Sequence, residues 1–129
     1  MRIGFDAKRA AQNRTGLGNY SRFILELLTT YAPENEYLLY IPNPHKTDLL
    51  GDLSKKGVLC YPTGALWKKL RSIWRVWGIT NDIIKDNIQL FHGLSNELPL
   101  NIRRAQQTKT IVTIHDLIFL RYPEYYPFI

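Results

Sequence analysis

Two histidines stand where the chain leaves an apolar run, and polar residues follow each of them. Ile111-Val112-Thr113-Ile114 ends in His115-Asp116, and Leu90-Phe91 ends in His92-Gly93-Leu94-Ser95-Asn96. An imidazole can hydrogen-bond a substrate hydroxyl or assist at a reacting centre. The Asp116 carboxylate can orient it or meet hydroxyls itself. His92 and Asn96 suit the lining of the same pocket, with Gly93 permitting a sharp exit from the run. Each pair also has a structural alternative, a hydrogen-bonded core histidine or plain turn chemistry. His45 lies beside prolines and is expected to take no part. With three dispersed histidines and one cysteine, no metal site is expected.

A third group precedes a helix-like run. After Asp6 come Lys8, Arg9 and Arg14, then Thr15-Gly16-Leu17-Gly18-Asn19-Tyr20-Ser21. Two glycines let backbone approach a ligand closely, and the free N–H groups of a first helical turn favour an anion. The alternative is a flexible loop closed by an Asn or Ser helix cap. A dinucleotide fingerprint would need Gly-x-Gly-x-x-Gly directly after the strand and an acid at the end of the second strand. Here Ser21 takes the third glycine position, nine residues separate Asp6 from Gly16, and Pro42 follows the second strand, so NAD is disfavoured.

These residues need a frame. Apolar β-type runs at residues 2–6, 36–41, 57–61, 88–92 and 109–115 alternate with helix-like runs. That order predicts an α/β fold, a Rossmann-like three-layer domain with a mostly parallel sheet. Between the first two strands, Tyr20, Phe23, Ile24, Leu27, Leu28 and Tyr31 recur at helical spacing until Pro33, predicting a helix over 18–31. A weaker helix is expected over 45–55, compromised by Gly51, and a longer one over 66–85 with Gly78 as its break. In such a sheet ligands bind beyond the carboxyl ends of the strands where strand order reverses, here between the first and fourth. The segments after Asp6, His92 and His115 meet there.

Within the longer helix, Leu66, Leu70, Ile73 and Trp77 follow one stripe, flanked by Trp67 and Trp74, while Lys68, Lys69, Arg71 and Arg75 supply a basic side. Two readings stand. The stripe faces the core with the cations over its rim, or it rests on an anionic membrane surface. No nucleic-acid motif accompanies these cations, so nucleic acid is not an expected partner.

The 129 residues suffice for one packed core. A formal net charge of +6 favours anionic partners. The opening Met-Arg-Ile-Gly-Phe-Asp lacks the long apolar region of a secretory signal, so a cytoplasmic location is expected, with peripheral contact at the inner face of the membrane as an option. Cys60, in an apolar run, reads as a small core residue.

Taken together, Arg2-Ile3-Gly4-Phe5-Asp6, the Thr15-to-Tyr20 loop, Leu90-Phe91-His92-Gly93 and the run from Val112 to Tyr126 resemble the N-terminal half of family 4 glycosyltransferases, most closely bacterial mannosyltransferase-like members. The resemblance spans nearly the whole chain. It implies a GT-B fold, two Rossmann-like halves facing across a cleft, of which residues 1–129 would be the acceptor-side half. It implies retaining, metal-free transfer from a donor such as GDP-mannose or a UDP-sugar to a glycan or lipid-linked acceptor in polysaccharide synthesis. On matching positions, Gly16 and Gly18 would approach the donor diphosphate or the acceptor, His115 would contact the transferred sugar, and Asp116 would shape that pocket. Leu17, Asn19, Arg14, Lys8, His92 and Asn96 would line the donor or acceptor side. The donor-binding half and its Glu-rich motif are absent from these residues, so they are expected to be inactive alone. A stand-alone Rossmann-like nucleotide- or anion-binding module is the alternative.

Overall fold

The computed structural model describes residues 1–125, and Tyr126, the last residue of the motif just quoted, lies outside them. Strands β1 (Arg2–Asp6), β2 (Glu36–Tyr40), β3 (Val58–Cys60), β4 (Leu90–Gly93) and β5 (Lys109–Val112) form one sheet in the order β3-β2-β1-β4-β5. Every neighbouring pair is parallel. The chain is thus α/β and Rossmann-like, and the reversal of strand order falls between β1 and β4 as expected.

Side chains alternate across the sheet, so each strand feeds two cores. Ile3, Phe5, Tyr37, Leu39 and Ile41 face α1 (Lys8–Gln12), α2 (Gly16–Tyr31) and α3 (Leu53–Lys56), which contribute Ala10, Ala11, Leu25 and Leu53. Leu38, Tyr40 and Phe91 face the other way, onto Trp74, Ile79 and Ile83. That second layer is built from α4 (Ala65–Lys69), α5 (Arg71–Ile73), a π-helical turn (Trp74–Gly78) and α6 (Ile79–Lys85). Its anchor is Trp74, fully buried, whose indole N–H donates to the Asp82 carboxylate at 2.7 Å. Gly4 leaves room on this face: a Cβ there would lie 3.0–3.2 Å from the Tyr40, Phe91 and Ile88 side chains.

Five sequence expectations change. Residues 8–12, expected as part of an open loop, are helical because Ala10 and Ala11 bury against the sheet. The weak helix at 45–55 reduces to a 3-10 turn (Asp48–Leu50) and α3, parted by Gly51 at a left-handed φ of 53°. Gly78 does not break the long helix. Its backbone is helical, and a Cβ would press on Trp74 at 2.8 Å and Trp67 at 3.1 Å, so glycine there serves close packing. The interruption falls at Leu70 instead, with ψ of 52°.

The fourth concerns the apolar stripe of that helix. The core takes the flanking Trp74 and, in part, Trp67, while Leu66, Leu70, Ile73 and Trp77 are exposed. The core-facing reading therefore fails for the stripe itself. β5 is also shorter than expected, ending at Val112, and all four of its residues are exposed at the sheet's edge. Cys60 is half-buried and packs on the second core, its thiol pushed up to about 12 by burial first and then by Asp86. No helix among the described residues is long and apolar enough to cross a membrane.

Candidate functional site

At the carboxyl end of the sheet, Asp6 of β1 stands in register with Gly93 of β4, and the chain leaves both strands there. On the α2 side of this rim the alternation of β4 turns His92 toward Phe5, with ring centroids 5.7 Å apart. Its Nε2 lies 2.7 Å from the Thr113 hydroxyl. The same hydroxyl is 3.4 Å from the Tyr20 hydroxyl, one turn into α2. The Tyr20 ring in turn meets His115 edge to face, at 4.8 Å and 89°. Three separate segments therefore bring Tyr20, His92, Thr113 and His115 into one cluster.

A hydrogen-bond partner sets the tautomer of one histidine, and burial acts on the other. His115 Nε2 sits 2.7 Å from the Leu94 carbonyl, which can only accept, so Nε2 carries the proton and Nδ1 of a neutral ring is the acceptor. Burial lowers the pKa of His92 below its ordinary value, which favours the neutral ring.

Backbone stitching holds the cluster. Thr113 N–H donates to Gly93 O and Asn96 N–H to Thr113 O, both at 2.9 Å, which extends the β4–β5 pairing past the strand ends. The Asn96 side-chain oxygen accepts from His115 N–H at 2.8 Å, and Asn96 itself is left-handed, with φ of 64°. Asn96 thus positions His115. Asp116 is exposed and accepts from Ile118 N–H at 3.3 Å, capping α7 (Ile118–Arg121). The contacts found on the His115 ring come from Leu94 and Tyr20, not from Asp116.

The glycine loop divides into two roles. Asn13 Oδ1 accepts from Thr15 N–H at 2.8 Å and from Gly18 N–H at 3.1 Å, and so supplies the helix cap from the residue just after α1. A Cβ on Gly18 would collide with the Asn13 carbonyl oxygen, so the α1–α2 joint itself requires glycine there. Gly16 faces open space. The first-turn N–H groups of Gly16 and Leu17 have no intrahelical partner and are the donors this loop can offer a ligand. The Asn19 side-chain oxygen is occupied by Arg22, whose guanidinium also donates to Ala10 O and Asn13 O, both at 2.8 Å. Arg14 is exposed and lines a different surface from His92 and His115, beside His45 and Lys46.

On the other face of the sheet the rim is ionic. Arg75 reaches into the crevice and holds Asp6 Oδ2 through Nε at 2.8 Å and Nη2 at 2.7 Å, while its Nη1 meets Glu97 at 2.7 Å. Arg75 and Asp6 are nearly buried there, whereas the Glu97 side chain is 60% exposed. Arg75 and Glu97 border a cavity of about 580 Å³ that Lys8, Asn43, Arg71 and Ser72 also line. Burial, followed by the charges of Arg75 and Arg9, lowers the Lys8 pKa. With Arg75 engaged by two carboxylates, Lys8 and Arg71 are the cations that this space offers to an anion.

Sequence reasoning missed Tyr20, Thr113 and Arg75. Tyr20 carried a signal, its place four residues after Gly16, but reads equally as a core position of the helix stripe. Arg75 carried none, since 69 residues separate it from Asp6. Among the described residues no three His, Cys, Asp or Glu side chains converge as a metal site would require. No protein-family model, curated protein or solved structure matches the chain.

Proposed function

We propose that the chain is the acceptor-side wall of a retaining sugar transferase of the GT-B kind, as its resemblance to family 4 glycosyltransferases implies. One observation supports this most: at the strand-order reversal, a hydroxyl- and imidazole-bearing cluster of Tyr20, His92, Thr113 and His115 stands at the same rim as the opening turn of α2. Polar groups that can give and take hydrogen bonds with sugar hydroxyls lie beside N–H donors that suit a phosphate.

Each group has a task in this reading. The bond between the anomeric carbon and the donor phosphate breaks, its electron pair leaves with the nucleoside diphosphate, and the acceptor oxygen bonds the same carbon as its proton passes to the departing phosphate oxygen. Negative charge grows on the leaving phosphate, where the Gly16 and Leu17 N–H groups stabilise it. His115 Nδ1 accepts from a hydroxyl of the transferred sugar and orients it. A second, donor-binding domain supplies the rest of the phosphate contacts, so residues 1–129 alone transfer nothing. The reaction runs in the cytoplasm, without a bound metal, on a glycan or lipid-linked acceptor.

The test is a panel of nucleotide sugars, GDP-mannose and UDP-sugars among them, offered to the full-length protein with glycan acceptors. Release of nucleoside diphosphate together with a glycosylated product supports the proposal. Absence of both across the panel, or transfer by residues 1–129 alone, overturns it.

The cavity lined by Lys8 and Arg71 favours a second reading, an anion- or nucleotide-binding module without transfer chemistry. Thermal stabilisation by nucleotides with no turnover of any sugar donor would select it.

A further inference from the structure

Thr113 sits at the centre of the rim cluster, and its backbone is pinned on both sides. It gives its N–H to Gly93 O and takes the Asn96 N–H on its carbonyl, so its hydroxyl projects from a fixed point. That hydroxyl meets His92 Nε2 at 2.7 Å on the core side and the Tyr20 hydroxyl at 3.4 Å on the rim side. His92 lies on β4, paired with β1 and β5 on its two edges, which anchors the inner end of the chain. Tyr20 is the outer end. Its ring body packs against the first core and meets the His115 ring edge to face.

The hydrogens have a consistent order along this line. A hydroxyl has one proton to give and can accept as well. The neutral His92 ring that burial favours can accept at Nε2, so Thr113 donates inward and is left to accept from Tyr20. The outer bond is the longer one, as hydrogen bonds at a reacting centre commonly are before substrate arrives. His115 needs such a neighbour. Its bond to Leu94 O fixes one ring nitrogen but leaves the ring free to pivot about that contact, and the Tyr20 ring is what blocks the pivot.

We infer that His92 and Thr113 are positioning residues: through the Thr113 hydroxyl they hold Tyr20, and Tyr20 sets the plane of the His115 ring and hence the direction of its Nδ1. Neither has to touch a sugar. The inference rests on the transferase reading for the use made of that direction, whereas the geometry is testable without turnover.

The full chain, with isotope-labelled histidine, is followed by NMR at about pH 8, where histidine rings are neutral. Tyr20→Leu removes the aromatic ring and locates the His115 ring signals free of its ring current. Thr113→Val loses the hydroxyl and keeps the branched shape, and Tyr20→Phe loses the hydroxyl on the other side. Each should move the His115 signals toward the Tyr20→Leu position, and Thr113→Ser should restore them. Combining Thr113→Val with Tyr20→Phe should move them no further than either alone, since both cut the same link. In the full-length protein with an active donor, Thr113→Val should lower kcat about ten- to a hundredfold with KM little changed, and Thr113→Ser should recover most of it. Circular dichroism checks that each variant is folded. His115 signals unmoved by Thr113→Val and Tyr20→Phe, or Thr113→Ser behaving like Thr113→Val, overturn the inference. So do fully additive shifts, or moved signals with unchanged kcat. If no donor turns over, the transferase reading falls, and the NMR comparison alone decides the positioning.

Discussion

Arg75 grips the carboxylate of Asp6 with two nitrogens, at 2.8 and 2.7 Å, across the mouth of the crevice where strand order reverses. The contact ties the end of β1 to the helical layer on one face and, through Glu97, to the loop after β4. Removing one partner from a nearly buried pair strands the other charge, which costs about 3–5 kcal/mol. Arg75→Ala should therefore remove a large share of the stability of a domain this size, about 5–15 kcal/mol in all. Glu97→Gln touches an exposed carboxylate and should cost under about 1 kcal/mol. Urea unfolding measures both. Equal costs would mean that the Asp6 contact does not anchor the rim.

The two glycines of the α2 loop make opposite predictions. Gly18→Ala drives a Cβ into the Asn13 carbonyl oxygen, so the α1–α2 joint must open, at about 1–3 kcal/mol. Gly16→Ala meets nothing within 4 Å and should change stability by under about 1 kcal/mol. Thermal unfolding of the two variants checks this directly. If Gly16→Ala proved the more damaging, the loop would be arranged otherwise than described.

His92 should make stability depend on pH in one direction. Burial lowers its pKa in the folded state from the ordinary value of 6.5. Above that value the ring is neutral in both states and contributes nothing. As pH falls through it, the unfolded chain takes a proton that the folded chain refuses, so stability declines with acid, by at most about 1.4 kcal/mol per pH unit for one proton. His92→Gln removes that contribution, and its unfolding free energy should fall less between pH 7 and 5 than that of the parent. Superimposable profiles would mean the ring is free to protonate in the fold.

The five strands were legible because alternation and punctuation are local signals, and the place of the reversal followed from the alternating strand and helix pattern. The runs ending at Asp6, His92 and His115 converge on one rim, as the parallel pattern predicted. Roles were less legible wherever one residue type serves two ends. Gly18 looked like a ligand-facing glycine, but the reason for it lies in Asn13, whose carbonyl is brought close only once residues 8–12 coil into a helix. Asn96 looked like pocket lining and is a backbone brace for His115. The stripe of the long helix pointed correctly to an amphipathic segment. Periodicity alone could not tell which flank the core would take, because Trp67 and Trp74 compete with it for the same layer.

The transfer reading separates His115 from its neighbour Asp116. His115 is held by Leu94 O, Tyr20 and, through its backbone, Asn96, an arrangement that fixes an imidazole at the rim and leaves Nδ1 as its acceptor. Asp116 is exposed and occupied with the start of α7. In the full-length protein His115→Ala should lower turnover about a hundredfold or more, as loss of one oriented polar contact at a reacting centre does. Its fold should persist, because only the Leu94 contact and the Tyr20 edge are lost. Asp116→Asn keeps an oxygen for the Ile118 N–H and should leave turnover near the parent value. Steady-state assays with the best donor found in the panel test both, alongside circular dichroism. Turnover unchanged in His115→Ala removes His115 from the site, and a collapse in Asp116→Asn would assign the carboxylate the role proposed for the imidazole.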